Sequence, residues 1–253
     1  MDIIKKLAQE LAIKEEQAKA AVQLIDEGNT IPFIARYRKE MTGALNDETL
    51  RNLHERLLYL RNLEEKKEQV INAITDQGKM TEDLKKKILS AETLVAVDDL
   101  YRPYRPKKQT RATKAKEKGL EPLANILLLQ KTTKSMEEEA AAFVNAEKGV
   151  ANAKEAIAGA KDIIAEMIAD MADYRKSIRN CTMKQGSLVV KAKDEKAESV
   201  YEMYYDFREP LSKVTGYRVL AINRGEKEKF LTVKIEAPQD DILRYLEKKM
   251  IHS

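Results

Sequence analysis

The sequence predicts a mainly α-helical protein: a multi-helix scaffold with a small antiparallel β element near its C-terminus. Three observations support this fold class. Glycine and proline are scarce, with 9 and 6 among 253 residues, and 35% of the residues are charged, a composition typical of helical proteins. Apolar residues recur at helical spacing from Leu50 to Ile74. After Gly186 the pattern changes to short runs rich in β-branched and aromatic residues.

The N-terminal residues 2–27 predict two short helices. In the second, apolar residues recur every three or four positions, and Gly28 is a suitable residue to end it. The pair fits a helix-turn-helix part, and it equally fits a plain helical hairpin.

The segment from Thr30 to Leu45, called stretch 1 below, reads TIPFIARYRKEMTGAL. Pro32 biases the residue before it towards an extended conformation. The residues after Pro32 predict a short buried turn, because Phe33, Ile34 and Tyr37 fall at helical spacing. This places Arg36 and Lys39 on a different face.

A long helix is expected from residue 47 to residue 77, with Asn46 as its N-cap. Its length would be about 46 Å at about 1.5 Å per residue, so it should form the spine of the scaffold. The polar run Glu64–Glu68 is interpreted as solvated surface. The predicted buried stripe comprises Leu50, Leu53, Leu57, Leu60, Leu63, Val70 and Ile74.

A second segment rich in arginine and tyrosine, stretch 2, runs from Asp99 to Arg111 and reads DLYRPYRPKKQTR. Pro103 and Pro106 exclude a regular helix there. One interpretation is an extended segment that exposes its Arg and Tyr side chains to nucleic acid. The other is that the tyrosines pack inward while the arginines pair with acids such as Asp98 and Asp99.

Three further helices are predicted after stretch 2. They begin near Glu121, at the capping box Ser135–Glu138, and near residue 150, the last running to about residue 180. In that last helix the small residues Ala156, Gly159 and Ala160 would allow a neighbouring element to approach closely. Strands are predicted at 188–190, 219–223 and 230–235, with a helix at 200–207 between the first two and a final helix from Gln239.

The positive charge is concentrated in one segment. From Tyr101 to Lys118 there are eight basic residues and one acid, whereas the whole chain has a net charge of only +4. Such a segment favours contact with a polyanion, because cations near phosphates gain affinity by releasing counterions. A solvated basic loop without a partner is the alternative.

Several function classes find no support in the sequence. The single cysteine, Cys181, excludes an intramolecular disulfide and suits the cytoplasm. No signal peptide or membrane-spanning run is apparent. There is no phosphate-binding glycine loop and no Cys/His metal cluster, and the two histidines, His54 and His252, are far apart. We therefore expect a cytoplasmic protein that is not an enzyme and needs no cofactor.

Several long motifs, in order along the chain, resemble those of the Tex family of bacterial transcription accessory proteins. The first is Thr30–Gly43, and the second is Gln77-Gly-Lys-Met-Thr81. Similar stretches follow at Asp99–Lys108, Gly119–Leu123, Ala156–Ile163 and Tyr217–Glu226. One departure is Gly216-Tyr217, where the family pattern has Ser-His ahead of the arginine.

The resemblance implies a modular cytoplasmic protein related to eukaryotic elongation factors that work with RNA polymerase. Family members continue into an RNase-H-like domain, helix-hairpin-helix elements and a C-terminal OB-fold that binds RNA. The expected organisation is N-terminal helices and the start of the spine at 1–78, a central helical region at 79–185, and a small α+β region at 186–253. We expect the chain to be truncated before the RNase-H-like domain.

These observations predict a non-catalytic scaffold, associated with RNA or DNA, that contacts phosphates through its basic stretches. A purely architectural module that docks the missing domains or RNA polymerase is the alternative, and no membrane is expected as a partner. The predicted nucleic-acid-binding residues are Arg36, Arg38, Lys39, Arg102, Arg105, Lys107, Lys108, Arg111 and Lys114.

Overall fold

The computed structural model describes residues 2–106 and 108–252. The chain divides into two compact units, Met1–Tyr104 and Arg105–Ser253. Helices dominate both, and the strands that are present form one small antiparallel sheet near the C-terminus, as the sequence predicts. Among the described residues, no helix is long and apolar enough to cross a membrane. The division into 1–78, 79–185 and 186–253 stays a prediction.

The first unit is built on one long helix with shorter helices against it. The helix α5 spans 30 residues, about 45 Å at about 1.5 Å per residue, and Asn46 caps it by accepting a 2.7 Å hydrogen bond from the amide of Thr49. The helices of this unit are α1 Ile3–Glu10, α2 Glu15–Asp26, α3 Ile31–Tyr37, α4 Lys39–Thr42, α5 Asp47–Asp76, α6 Glu82–Ser90 and α7 Leu94–Tyr101, followed by the 3-10 turn Arg102–Tyr104.

The predicted stripe of α5 is buried along its whole length, together with one residue that the sequence assigned to solvent. Lys67 is only 1% exposed. Its Nζ donates to Glu64 Oε1 at 2.8 Å and to the carbonyl of Leu89 at 2.9 Å. The interpretation of the Glu64–Glu68 run as solvated surface is therefore wrong for Lys67. Helical spacing from Leu63 places position 67 on the buried face, and two acceptors there satisfy its charge.

Two carboxylate–guanidinium pairs join the N-terminal helices to α5. Arg56 donates to both carboxylate oxygens of Glu10, and Arg61 donates to both oxygens of Asp26 at 2.7 Å. These hydrogen bonds lower the pKa of Glu10 and of Asp26 below their ordinary values. The helix-turn-helix reading of α1 and α2 stays a prediction.

The second unit holds the helices α8 Arg111–Glu117, α9 Glu121–Leu129, α10 Met136–Ala141, α11 Ala153–Asp170, α12 Ala172–Gln185, α13 Gly216–Lys227 and α14 Gln239–Met250. The single helix predicted over 150–180 is in fact α11 and α12, separated at Met171, whose extended backbone (φ −70°, ψ 115°) breaks the helix. Gly159 lets α11 pack closely, because a Cβ there would lie 2.4 Å from Leu120 Cδ1 and 3.2 Å from Ala115 Cβ.

The sheet contains β1 Ser187–Ala192, β2 Asp206–Pro210 and β3 Leu231–Glu236, in the order β2-β1-β3, with both pairs antiparallel. In this register, Val190 lies opposite Phe207 on one side and Val233 on the other. The strands predicted at 188–190 and 230–235 are confirmed as β1 and β3, which pair directly with each other.

Two assignments in this region were wrong. The strand predicted at 219–223 lies within α13, and the helix predicted at 200–207 is a 3-10 turn, Glu202–Tyr204, followed by β2. A short apolar run fits a strand or one face of a helix equally well, so periodicity could not decide the first case. Within α13, Ile222 is buried whereas Leu220 is 72% exposed, as expected of a helix that contacts its core on one side.

Candidate nucleic-acid interface

Stretch 1 folds into two short helices that meet at Arg38. Thr30 is the N-cap of α3, with an extended backbone, and Pro32 lies in the first turn, where its missing N–H has no consequence. Ile34 is fully buried in the core around α5. Phe33 and Tyr37 are 36% and 55% exposed. The prediction that these two aromatic residues lie in a buried turn is therefore wrong, and within α3 the buried residue is Ile34.

The exposed aromatic side chains of stretch 1 form a cluster with Arg38. The ring centroids of Phe33 and Tyr37 are 5.2 Å apart and their planes are inclined by 47°. The guanidinium carbon of Arg38 lies 5.1 Å from the centroid of the Phe33 ring, within cation–π range. Arg38 Nη1 also donates to the carbonyl of Tyr37 at 3.0 Å. We call Phe33, Tyr37 and Arg38 the aromatic patch.

The backbone that follows the aromatic patch is held by α2. Gln17 Nε2 donates to the carbonyls of Thr42 (3.2 Å) and Gly43 (3.0 Å). Gly43 has a left-handed backbone (φ 60°), and a Cβ there would lie 2.7 Å from Gln17 Nε2. Arg36 and Lys39 are exposed on either side of Arg38. Within the described residues, Arg36, Arg38 and Lys39 form no ion pair with a carboxylate.

Stretch 2 places its tyrosines in the opposite environment. Tyr101 and Tyr104 are half-buried and pack against the core of the first unit. Gln77 Nε2 donates to the carbonyl of Tyr104 at 3.0 Å and joins the turn to the end of α5. The inward-packing interpretation is thus correct for these tyrosines. The residues Arg102 and Arg105 are both exposed to solvent, and each interacts with another group of the chain.

The end of stretch 2 leads into a basic helix of the second unit. Thr110 caps α8, and Lys108, Arg111 and Lys114 are all exposed. Arg111 Nε lies 3.5 Å from Asp162 Oδ1, with 87% of its side chain exposed. A shallow cleft of about 270 Å³ opens between α8 and α11, with Arg111, Lys114 and Lys118 among its lining residues. Lys118 Nζ donates to the carbonyl of Gly149 at 2.8 Å.

Comparison with known families agrees with the motifs. A family model described as Tex-like protein N-terminal domain matches residues 1–75. A second family model, described as Tex central region-like, matches residues 131–252. Together the two matches take in most of the chain. The chain belongs to the Tex family.

Relatives of this Tex-family chain include proteins from distant organisms. It is 45% identical over 248 residues to the Bacillus subtilis (strain 168) protein YdcI, covering 97% of this chain and 34% of YdcI. It is 41% identical over 244 residues to the transcriptional accessory protein Tex of Neisseria gonorrhoeae, covering 95% and 32%. It is 32% identical over 257 residues to human S1 RNA-binding domain-containing protein 1, covering 96% and 25%. The chain thus spans about a third or less of the length of these relatives.

The structure divides the predicted binding residues of this Tex-family chain between the two units. Arg36, Arg38, Lys39 and Arg102 belong to the first, and Arg105, Lys108, Arg111 and Lys114 to the second; Lys107 lies outside the described residues. Arg36, Arg38 and Lys39 are neighbours on stretch 1. Lys108, Arg111 and Lys114 are neighbours at the start of α8.

Three residues were missing from the predicted set. Phe33 and Tyr37 were assigned to the core, and their spacing of four residues was the available signal that they share a helix face. Lys118 was counted only as part of the basic segment. Its position four residues after Lys114 and seven after Arg111 is the spacing that places all three on one side of a helix.

Proposed function

We propose that this chain is the nucleic-acid-associated, non-catalytic scaffold of a transcription accessory protein, and that it contacts phosphates through its basic stretches. The observation that carries the proposal is the row of exposed cations Lys108, Arg111 and Lys114. Of these, only Arg111 approaches a carboxylate, at 3.5 Å, among the residues that the structure describes. Cations without carboxylate partners are available to an external polyanion.

The proposal is supported by the names of two relatives. One is called a transcriptional accessory protein and the other an S1 RNA-binding domain-containing protein. The cations on α8 are flexible side chains on a short helix, not a fixed set of donors and acceptors aimed at base edges. We therefore propose contact with the phosphate backbone, which positions a protein without specifying sequence. The proposed setting is the cytoplasm, with RNA polymerase or further domains of the same protein as additional partners.

The test is to measure binding of labelled single-stranded and duplex RNA and DNA across a salt series. Each phosphate contact contributes about 0.7 to the slope of log K against log salt for a single strand and about 0.9 for a duplex. The variant Arg111→Glu/Lys114→Glu should lose two contacts, so its slope should be smaller by about 1.4 to 1.8.

A matched control is available in the same unit. Lys131 and Lys134 are exposed and have the same spacing as Arg111 and Lys114, so Lys131→Glu/Lys134→Glu gives the same change in charge. The control should bind like the wild type at every salt concentration after correction for its net charge. Absence of binding at low salt, or binding that does not respond to salt, would contradict the proposed function.

The alternative, an architectural module, is favoured by a different observation. On α13, Tyr217 and Leu220 are 65% and 72% exposed and three residues apart, which makes an apolar surface suited to another protein. The two functions are separated by two variants of the full-length protein, Lys108→Glu/Arg111→Glu/Lys114→Glu on the basic row and Tyr217→Ser/Leu220→Ser on the apolar surface. If the first variant keeps nucleic-acid binding and the second loses association with purified RNA polymerase, the architectural function is favoured. If the first variant loses nucleic-acid binding and the second keeps association with the polymerase, phosphate contact is favoured.

A further inference from the structure

The rings of the aromatic patch on stretch 1 are exposed to solvent, so they contribute little to the core of the first unit. Tyr37 is 55% exposed, and its hydroxyl forms no hydrogen bond to any described residue. Phe33 is 36% exposed, and Met41, on the following helix α4, is 48% exposed. Single exposed apolar residues are ordinary, whereas adjacent exposed rings, as in Phe33 and Tyr37 with centroids 5.2 Å apart, make a surface available for binding.

The patch is held in one arrangement before any partner arrives. Ile34, between the two aromatic residues in sequence, is fully buried and fixes α3 to the core. Arg38 is held by its hydrogen bond to the Tyr37 carbonyl and by its position over the Phe33 ring. Because these side chains are already ordered, a ligand that stacks on them loses little conformational entropy in doing so.

The charge around the patch indicates an anionic partner. Stretch 1 contains three cations, Arg36, Arg38 and Lys39, and one acid, Glu40. Within the described part of the chain, none of the three cations pairs with a carboxylate. An exposed aromatic ring beside cations is the combination with which proteins bind single-stranded nucleic acid, since bases stack on rings while phosphates contact Arg and Lys. A duplex hides its base faces and would not use the rings.

We propose that the aromatic patch binds single-stranded nucleic acid by stacking a base on Tyr37, with Arg36 and Lys39 meeting the neighbouring phosphates. The proposal rests on the proposed function and adds to it a contact with bases. It assigns a class of ligand, a strand with unpaired bases, to a surface of the first unit. Stacking tolerates any base, so little sequence preference is expected.

The experiment compares four labelled probes of about a dozen nucleotides, within the range of single-strand site sizes. They are oligothymidylate with its RNA counterpart oligouridylate, an abasic strand of the same length and charge, and a duplex. The proteins are the full chain and its variants Tyr37→Leu and Tyr37→Phe. Tyr217→Leu is the matched control, because Tyr217 is also an exposed tyrosine on a helix, at 65%.

The wild type should bind the base-bearing strands more tightly than the abasic strand. Tyr37→Leu should weaken binding of base-bearing strands by about 5-fold to 150-fold, the range for loss of one stacked base, and leave the abasic strand and the duplex unchanged. Tyr37→Phe should keep the wild-type affinity because it keeps a ring. Tyr217→Leu should bind like the wild type. Comparison of the DNA and RNA probes shows which sugar is preferred.

Three results would overturn the proposal in distinguishable ways. If base-bearing and abasic strands bind equally well and with the same salt dependence, phosphate contact is supported and base stacking is contradicted. If the wild type prefers base-bearing strands and Tyr37→Leu does not reduce this preference, the bases bind elsewhere. The aromatic patch would then be a surface for a protein partner. If no probe binds at any salt concentration, the proposed function fails together with the stacking.

Discussion

Stretch 1 and stretch 2 share their residue types, since both contain arginine, tyrosine, lysine and proline, and they differ in where the aromatic side chains lie. In stretch 1, Phe33 and Tyr37 are exposed while Ile34 is buried. In stretch 2, Tyr101 and Tyr104 are half-buried against the core. Similar composition therefore gives a candidate stacking surface in one place and an anchored turn in the other.

The cause of this difference is local geometry. In stretch 1, α3 is an α-helix, and residues four apart share a face, so Phe33 and Tyr37 lie together at the edge of the face that Ile34 buries. In stretch 2, the turn Arg102–Tyr104 is a 3-10 helix, in which residues three apart are eclipsed. Tyr104 ends this turn and Tyr101 ends α7 just before it, and both side chains pack against the core of the first unit. Secondary structure, more than composition, decides which aromatic residues are available to a ligand.

The largest effect is expected at the anchor of stretch 1. Ile34→Ala should lower the free energy of unfolding by about 2 to 5 kcal/mol, because it removes a fully buried side chain and leaves a cavity. Urea denaturation followed by circular dichroism measures the change. A loss below about 1 kcal/mol would mean that stretch 1 does not rest on this residue.

The comparison itself is tested by removing one tyrosine from each stretch. Tyr104→Ala should destabilise by about 1 to 3 kcal/mol, because half of a large side chain leaves the core. Tyr37→Ala should change stability by no more than about 0.5 kcal/mol, as is usual for exposed residues. Equal effects in the same denaturation assay would show that the two tyrosines have similar environments and would contradict the structure.

A smaller effect is expected at the junction between stretch 1 and α5. Gly43→Ala should destabilise by about 1 to 2 kcal/mol, because alanine is strained at φ 60° and its Cβ would displace Gln17. Gln17→Ala combined with Gly43→Ala separates the two causes. If the double variant is no less stable than Gln17→Ala alone, the backbone strain is absent.

The smallest effect is the pH dependence of stability that comes from the two carboxylate–guanidinium pairs between α5 and the helices α1 and α2. Hydrogen bonds from Arg56 and Arg61 lower the pKa of Glu10 from 4.5 and of Asp26 from 3.8. A lowered folded-state pKa gives a contribution that is complete above the ordinary carboxyl pKa and is lost as pH falls through the lowered value. Because both pairs are exposed, each contributes at most about 1 kcal/mol.

The measurement is the urea midpoint between about pH 6 and pH 2.5 for the wild type and for Glu10→Gln/Asp26→Asn. The wild type should lose more stability than the variant over the acid half of this range, and the two should have parallel profiles above about pH 5. Parallel profiles throughout would show that these carboxylates do not contribute.

Helices with a long regular pattern were predictable from the sequence, and shorter elements were not. The stripe on α5 repeats over eight turns, so its bounds and its buried face followed directly. The run around Val219 to Ile222 is too short to separate a strand from a helix, and the structure makes it part of α13. Lys67 shows a further limit, since its burial depends on the carbonyl of Leu89, which lies 22 residues away in the chain.

The candidate site was predictable only in its charges. The basic residues of both stretches could be identified by counting, because exposure is the usual state of arginine and lysine. Whether Phe33 and Tyr37 pack inward depends on which face of α3 meets α5, and an α-helix of 7 residues has too few apolar positions to settle its orientation. The aromatic patch is consequently visible only in three dimensions.

Lys67 also has a consequence for chemical labelling of the protein. Its side-chain nitrogen forms an ion pair with Glu64 and is buried between α5 and the end of α6, whereas most other lysines of the chain are exposed. An amine-reactive acylating reagent should therefore modify Lys67 only when the contact between α5 and Leu89 opens. Lys66, its neighbour, is partly exposed and should be acylated first. The difference between the two acylation rates, measured by mass spectrometry of peptides from the labelled protein, reports how often this part of α5 opens.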